Sequence, residues 1–264
     1  MKKQDIIEIF FEKLFPVAVF SFIIISLVIQ EDISLAKQVM SFPGIDADLA
    51  CNKQVQEALS LLESEPLHDP RAPRWVGKLA ASLKPGRFAH SLSVAWMSRR
   101  LAHVHGLDPL KAEQAGLLHD CAKCIDVRKM QKLCEKAGLE ITPFEAGSGS
   151  LLHSKAGSVL AAEKYGCTDP DILNAIRYHT TGRPGMSLLE KIIFVADYIE
   201  PGRYTAKNLP EIRKMAFEDI DEALMKILYD TLVYLNSTGN TVDPMTQKTY
   251  DYYRQMLAEV NRYD

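Results

Sequence analysis

The stretch AEQAGLLHDCAK, residues 112–123, decides how this chain is expected to fold. Ala112, Ala115 and Gly116 precede His119 by seven, four and three positions, which places the imidazole on the small, apolar face of a helix. Asp120 follows directly, and a carboxylate in a helical core needs a cation, an arginine or a metal, because an unpaired buried charge is very costly. The stretch therefore predicts a helical domain that buries a histidine and an aspartate together.

Four further polar residues interrupt apolar helical faces in the same way. They are His90, which shares a face with Val94, Met97 and Leu101; His153, which precedes Gly157 and Leu160; His179, which follows Ile172, Ala175 and Ile176; and Asp197, four residues after Ile193. A single such histidine is usually a hydrogen-bonded core residue, and that alternative stays open for each. Six separately satisfied groups on five helices would need six sets of partners, so one shared metal site is the simpler interpretation. Imidazole and carboxylate ligands without a thiolate favour iron, manganese or zinc.

The remainder of the chain from Trp75 onward also has a helical pattern, and no run alternates long enough to predict a sheet. Helix starts are predicted by a capping acid before proline, or by a capping box, at Asp108-Pro109, Asp169-Pro170, Asp243-Pro244 and Ser187–Glu190. Helix ends are predicted at Gly106, Gly166 and Pro201-Gly202. We expect an all-α domain of roughly seven or eight helices from about residue 75 to the end.

Residues 1–74 form an N-terminal extension of unassigned structure. Its apolar run LFPVAVFSFIIISLVI, residues 14–29, has 16 residues, fewer than the roughly 20 that a membrane-spanning helix needs. A membrane anchor, an interfacial segment, a buried helix or strand, and packing against a partner all stay open for this run. Pro66, Pro70 and Pro73 lie close together and predict a linker before the helical domain.

Composition limits the classes of function. The chain has 264 residues, 47% hydrophobic and 25% charged, which excludes wholesale disorder. Because the formal net charge is −3, a polyanionic partner must meet a local basic cluster, and no basic stripe interleaved with aromatics predicts nucleic-acid binding. The five cysteines favour a reducing compartment and a cytoplasmic location, with membrane association through residues 14–29 left open. Cys121 and Cys124 form a C-x-x-C without a second pair, so they are interpreted as small core residues rather than zinc ligands.

Five ordered motifs resemble the HD-domain metal-dependent phosphohydrolases, and among them the symmetrical bis(5′-nucleosyl)-tetraphosphatases. The motifs are RFAHSLSVA (87–95), LLHDCAK (117–123), LLHSKAG (151–157), AIRYHTTGRPGM (175–186) and KIIFVADYIEPGR (191–203). The resemblance spans about Trp75 to Leu257. It implies an HD-domain helical bundle over residues 75–264 that hydrolyses diadenosine tetraphosphate to two ADP. The extension lies outside it and is the main departure from the family.

The resemblance also implies roles for individual residues. The implied metal ligands are His90, His119, Asp120 and Asp197, with iron as the expected metal and one or two ions bound. Asp120, His153 and His179 are the implied catalytic residues; the two histidines either face the substrate phosphates or complete a second metal position. The implied substrate-binding residues are Arg87, Lys123, His153, His179, Thr180, Thr181 and Arg203.

Two other functions stay open at this point. One is an HD phosphohydrolase for deoxynucleotides, cyclic dinucleotides or alarmones, although the TTGRPG and EPGR elements belong to the tetraphosphatase branch. The other is a nucleotide-sensing, metal-binding module tethered by the N-terminal segment. A small nucleotide is the expected partner in each case, and a homodimer is left open.

Overall fold

A computed structural model describes residues 45–206, 208–239 and 241–260 of the chain. The compact unit that contains these residues begins at Pro43. The apolar run 14–29 lies outside the described residues. Across the part of the chain that is described, the fold is all-α without strands, as the sequence predicts, and no helix there is both long and apolar enough to cross a membrane.

Thirteen helices occur within the described ranges. They are α1 (Ala47–Ala50), α2 (Lys53–Ser64), α3 (Ala72–Ala80), α4 (Pro85–Val104), α5 (Pro109–Leu118), α6 (Val127–Lys136), α7 (Pro143–Ala146), α8 (Gly149–Tyr165), α9 (Pro170–Tyr178), α10 (Leu188–Ile199), α11 (Leu209–Glu218), α12 (Ile220–Ser237) and α13 (Pro244–Val260). Eleven of them lie between Ala72 and Val260, more than the seven or eight expected. Short helices such as α7 account for part of the difference, because four residues are too few to give a periodic pattern.

The predicted helix starts are confirmed by their caps. The carboxylates of Asp108, Asp169 and Asp243 accept hydrogen bonds from the backbone N–H groups two residues on, at 2.8 to 2.9 Å. At α10 the Ser187 hydroxyl accepts from the Glu190 N–H, and the Glu190 carboxylate accepts from the Ser187 N–H, so both bonds of the capping box form. These signals are local, which is why they can be recognised in the sequence.

The predicted helix ends are also confirmed where glycine provides them. Gly166 closes α8 in the left-handed conformation with φ of 71°, which costs little only for glycine. The end of α5 differs from the expectation: the helix ends at Leu118, so His119 and Asp120 lie in a turn rather than on the helix. The C-x-x-C lies in the same turn, with Cys121 buried and Cys124 exposed, and both are free thiols.

Helix α4 is the centre of the bundle. It packs against α2, α5 and α10, and every residue over 88–98 except Trp96 is buried, with Phe88, Leu92 and Leu101 fully inaccessible. Helix α5 approaches it closely at Gly116, where an added Cβ would lie 2.9 Å from the Ala95 Cα. This close approach brings the N-terminal half of α4 and the end of α5 to the same point in the core.

The segment between α2 and α3, predicted to be a linker, is attached to the bundle. The backbone N–H groups of His68 and Asp69 donate to the Glu113 carboxylate at 2.8 and 3.0 Å, and Glu113 is only 1% exposed. Pro73 and Trp75 belong to α3, and the Trp75 indole N–H donates to the Tyr165 carbonyl at 2.9 Å. Helix α2 packs on α4 through Val55, Ala58, Leu59 and Leu62, spaced as one helical face. The extension therefore continues into the packed unit.

Candidate metal centre

The six polar residues that interrupt the core meet in one cluster. His90 comes from α4, His153 from α8 and Asp197 from α10, whereas His119, Asp120 and His179 lie directly after the ends of α5 and α9. All except Asp197 are at most 9% exposed. Because five separate segments converge, the cluster exists only when the bundle is folded.

The first half of the cluster surrounds His90. Its Nε2 lies 3.0 Å from Asp197 Oδ1 and 3.2 Å from His119 Nε2. One ligand atom from each of these three residues falls within 4.8 Å of the others, close enough to hold one ion. Asp120 Oδ2 completes this side at 3.5 Å from His119 Nε2 and 3.8 Å from His90 Nε2.

The second half surrounds the other oxygen of Asp120. His153 Nε2 lies 3.0 Å from Asp120 Oδ1 and 3.0 Å from His179 Nε2. His119, Asp120 and His179 form a second group whose ligand atoms lie within 4.8 Å of one another. The two groups share His119.

Backbone carbonyls fix which nitrogen of each imidazole faces the centre. The Nδ1 atoms of His119 and His179 lie 2.7 Å from the carbonyls of Gly116 and Ile176, so each Nδ1 carries the proton and donates it. Their Nε2 lone pairs are left facing inward. Fixing the tautomer through the outer nitrogen is how proteins prepare histidines to bind metal.

His90 is oriented by Glu200, a residue that sequence reasoning missed. The Glu200 carboxylate is 4% exposed, lies 3.2 Å from His90 Nδ1 and also accepts from the Gly202 N–H at 2.5 Å. A signal was present: Glu200 directly follows the last residue of α10, where the negative end of the helix dipole disfavours a carboxylate. A carboxylate retained there needs a partner, and His90 is that partner.

Charge in the cluster is set by burial and by the close pairs. Burial alone would lower the pKa of His90, but its hydrogen bonds with Asp197 and Glu200 outweigh burial and raise that pKa to about 9. Burial lowers the pKa of His153 to about 4. At Asp120 burial favours the neutral acid, yet the surrounding imidazoles outweigh it and hold the pKa of that carboxyl well below its usual range. The centre therefore contains ionised carboxylates and draws positive charge to itself.

This arrangement fits a divalent metal. Asp120 Oδ1 is buried and has no hydrogen-bond donor among the described residues, although His153 Nε2 is only 3.0 Å away. The inward-facing Nε2 atoms of His90 and His119, only 3.2 Å apart, likewise need a cation or a proton between them. Four imidazoles and two carboxylates form a donor set that suits a borderline or hard divalent ion.

Three basic side chains, expected from the resemblance to bind substrate, lie beside the carboxylates. Arg87 Nη1 lies 2.6 Å from Asp120 Oδ2, and Arg203 Nη2 lies 3.3 Å from Asp197 Oδ1. Lys123 Nζ lies 3.1 Å from His153 Nε2. Burial lowers the pKa of Lys123, with Arg87 and Arg203 acting in the same direction and Asp120 opposing them. The site therefore concentrates positive charge on a chain that is net acidic.

A cleft of about 200 Å³ opens beside the cluster. It is lined by Arg87, Asp120, Lys123, His179, Thr180, Phe194, Asp197, Tyr198, Arg203, Ile227 and Thr231. His179 thus faces the cleft, whereas His153 is fully buried and is not among the lining residues. Thr181 is also absent from the lining, and its hydroxyl donates to the Gly182 carbonyl at 3.0 Å.

Comparison with known proteins identifies similar chains. Residues 87–202 match the family model of the HD domain. The chain is 39% identical over 166 residues to the symmetrical bis(5′-nucleosyl)-tetraphosphatase of Bacillus subtilis, covering 63% of this chain and 88% of that one. It is also 39% identical over 188 residues to the enzyme of the same name from Halalkalibacterium halodurans, covering 69% of this chain and 97% of that one.

A solved structure has the same fold. It is the crystal structure of a predicted HD superfamily hydrolase involved in NAD metabolism from Clostridium acetobutylicum, 40% identical, with a TM-score of 0.68. The superposition covers 70% of this chain and 97% of that one. Nearly the whole of the related structure is therefore found here, while almost a third of this chain has no counterpart in it.

Proposed function

The chain belongs to the family of symmetrical bis(5′-nucleosyl)-tetraphosphatases, which are HD-domain hydrolases, and from this premise we propose how its own residues hydrolyse diadenosine tetraphosphate to two ADP. The observation that carries the proposal is the buried cluster of four imidazoles and two carboxylates with Arg87, Lys123 and Arg203 around it. A metal-ligating donor set directly beside three cations matches a substrate whose reactive part is a chain of phosphates.

We assign the metal to His90, His119, Asp120 and Asp197, with iron as the expected ion. His119 has one free nitrogen, because its Nδ1 is engaged with Gly116, so it cannot serve both three-residue groups at once. A single ion on the His90 side leaves His153 and His179 for the substrate. When bound, a divalent metal supplies Lewis acidity at a phosphoryl oxygen and makes water acidic enough to attack near neutral pH.

The basic residues position the phosphate chain. Arg87 and Arg203 present guanidinium groups that can each donate two parallel hydrogen bonds to a phosphate, and Lys123 adds a point charge in the same cleft. Arg87 and Lys123 lie 2.6 and 3.9 Å from Asp120, and Arg203 lies 3.3 Å from Asp197. Fixing the tetraphosphate with its central bridging oxygen beside the carboxylates selects the symmetric bond for cleavage.

Water adds to a phosphorus next to the central bridging oxygen, and the bond from that phosphorus to the bridging oxygen breaks, so the attacking water loses a proton and the departing ADP oxygen gains one. His179 lines the cleft with its Nε2 lone pair facing inward, which places it to accept the proton of the water and then to give it to the departing oxygen. His153 lies behind it, with its Nε2 3.0 Å from that of His179, and orients it.

Product analysis tests the proposal. The chain, purified without oxygen and supplied with ferrous iron or manganese, is given diadenosine tetraphosphate, and the nucleotides are separated by ion-exchange chromatography. ADP alone is expected. ATP with AMP would contradict symmetric cleavage. Preferential hydrolysis of deoxynucleotides, cyclic dinucleotides or alarmones in a parallel panel would replace the proposed substrate by another of the HD class.

A further inference from the structure

A second cavity lies beside the metal centre, with His90 and Glu200 in its lining. Its volume is about 190 Å³, and its walls come from α2, from α4 and from the segment after α10. The apolar part of the lining consists of Ala58, Leu61, Ala89 and Pro201. Gln54 and Tyr204 contribute polar groups, and Tyr204 is 74% exposed, so its ring is available to a ligand.

Helix α2 gives this chain a wall that its relatives need not have. The family match begins at residue 87, and α2 ends at Ser64, in the extension that lies outside the resemblance. The contact is nevertheless close: an added Cβ at Gly86 would lie 2.8 Å from the Gln54 Oε1. Gly86 therefore leaves the room into which the Gln54 amide projects.

The cavity is connected to the phosphate-binding residues. A basic surface lies between the two, and its lining includes Lys84, Gly86, Arg87 and Lys123. Gly86 also lines the cavity, and Arg87 and Lys123 also line the cleft. Cleft, basic surface and cavity thus follow one another along the protein. A ligand that spans all three meets Arg87 and Lys123 in the middle and finds apolar groups at both ends, including Phe194 and Ile227 in the cleft and Ala58 in the cavity.

The substrate assigned above is charged in the middle and has an uncharged, largely apolar group at each end. Diadenosine tetraphosphate carries a nucleoside at each end of four phosphates, and symmetric cleavage places its middle at Asp120 and Asp197. One adenosine then lies in the cleft, and the other must leave the centre in a different direction. Glu57 and Glu200 line the cavity and would repel a phosphate there, so the cavity suits a base rather than the phosphate chain.

We propose that this cavity is the binding subsite for the second adenosine of the substrate, with Tyr204 and Gln54 as the residues that recognise its base. The inference rests on the proposed function. The Tyr204 ring stacks on the purine, and the Gln54 amide, which can donate and accept together, bonds the edge of adenine that carries the amino group. Because α2 supplies Gln54, the subsite is a property that this chain adds to the HD domain.

Steady-state kinetics on the full chain with bound metal tests the subsite. Tyr204→Ala is expected to raise KM for diadenosine tetraphosphate about tenfold, the loss of one base stack, with kcat within about twofold. Gln54→Ala is expected to raise KM in the same direction. Tyr204→Phe keeps the ring and should restore KM, which a loss of local folding would not explain.

Matched controls are Tyr234→Ala, an exposed tyrosine on α12, and Gln56→Ala on α2, neither of which lines the cavity. Both should keep the KM of the unaltered chain. If the Tyr204 and Gln54 variants also keep it, the subsite is refuted while ADP formation still supports the proposed function. If the unaltered chain forms no ADP, the proposed function itself fails.

A complex with an analogue that carries a methylene group in place of the central bridging oxygen tests the position of the base directly. The crystal structure should show one adenine in the cleft and the other against Tyr204. A second adenine that lies elsewhere on the protein, or free in solvent, would overturn the inference whatever the kinetics show.

Discussion

His119 shows how much of the site is fixed by single residues. Its Nδ1 donates to Gly116 and its Nε2 faces His90, so one proton position and one ring orientation are defined before any ligand arrives. The sequence reveals such a residue because an imidazole on an apolar face is conspicuous. Glu200 gives only the weaker signal of its position at the end of α10, and its partner His90 lies 110 positions away along the chain.

Replacement of Asp120 by alanine should abolish metal binding and hydrolysis. The side chain faces His119, His153 and Arg87, and its loss removes one of the two carboxylates from the cluster. Replacement of a residue that only hydrogen-bonds to a metal ligand typically lowers metal affinity or activity 10- to 100-fold. Because Asp120 is itself an assigned ligand, we expect kcat/KM to fall more than about 100-fold. Metal content and ADP formation are measured, and circular dichroism should show the helices retained. Full activity in a metal-free Asp120→Ala protein would refute the mechanism, and Asp251→Ala on α13 is the exposed control.

Replacement of His179 by alanine should separate turnover from metal binding. His179 lines the cleft and is assigned to proton transfer, not to the ion. We expect kcat to fall by about 10²- to 10⁴-fold, the usual contribution of an acid or base, while most of the metal remains bound. Metal analysis and kinetics on the same preparation measure both quantities. A parallel loss of metal and activity would make His179 a ligand instead.

Replacement of Glu200 by glutamine should weaken the metal without removing a ligand. The amide cannot match the carboxylate as an acceptor for His90 Nδ1, so the imidazole is held less firmly and is less basic. The metal dissociation constant, measured by competition with a chelator, should rise about 10- to 100-fold. Glu63→Gln on the exposed side of α2 serves as the control. An unchanged dissociation constant would show that Glu200 does not support His90.

At the scale of elements, the sequence was informative where the signals are local. The capping acids and the box at Ser187 act within one turn, and all of them form as expected. The end of α5 was not predicted, because HDCAK has no residue that terminates a helix. The turn there is instead held by distant contacts, such as the Cys121 thiol with the Gly157 carbonyl at 3.4 Å. A helix end that depends on tertiary packing leaves no mark in its own residues.

Replacement of Gly116 by valine tests the close approach of α5 to α4. The added side chain would meet the Ala95 Cα and the Val94 carbonyl, neither of which can move without shifting α4. Overpacking of this kind costs about 1 to 3 kcal/mol in the free energy of unfolding, and the shift should also displace His90 and His119. Denaturant unfolding and metal affinity are the measurements. Gly147→Ala is the control, because an added Cβ there would have no atom within 4 Å, and it should leave stability and metal affinity unchanged. Equal stability of the two variants would contradict tight packing at Gly116.

For the whole molecule, the metal should act as part of the folded core. Its assigned ligands come from three separate segments of the chain, so an ion that binds them stabilises the native state over the unfolded one. At a free metal concentration of 100 times the dissociation constant the gain is about 2.7 kcal/mol, which corresponds to about 5 to 10 °C in Tm for a chain of this size. Scanning calorimetry with and without chelator measures it. The Asp120→Ala protein should not respond, and an unchanged Tm for the unaltered chain would refute a stabilising ion.

How far the packed unit extends could not be predicted. The spacing of Val55, Ala58, Leu59 and Leu62 marks α2 as amphipathic, but the pattern does not say which surface it covers. The closely spaced prolines predict a linker, whereas the contacts of that segment with Glu113 are made 44 and 45 positions away along the chain. The domain boundary at residues 74 and 75 therefore stays a prediction.

Glu113 determines where the chain can be shortened. A truncated form that starts at Trp75 would remove both backbone donors of a carboxylate that is 1% exposed, and would leave it only the Arg99 guanidinium at 3.5 Å. Hydrogen bonds to a charged group contribute about 1.5 to 3 kcal/mol each, so the loss of both is a large part of the stability of a typical domain. A form that starts at Glu65 would keep those donors together with the pair between Glu65 and Arg99. Expression trials should therefore begin upstream of His68, and failure of a shorter product would say nothing about the catalytic bundle itself.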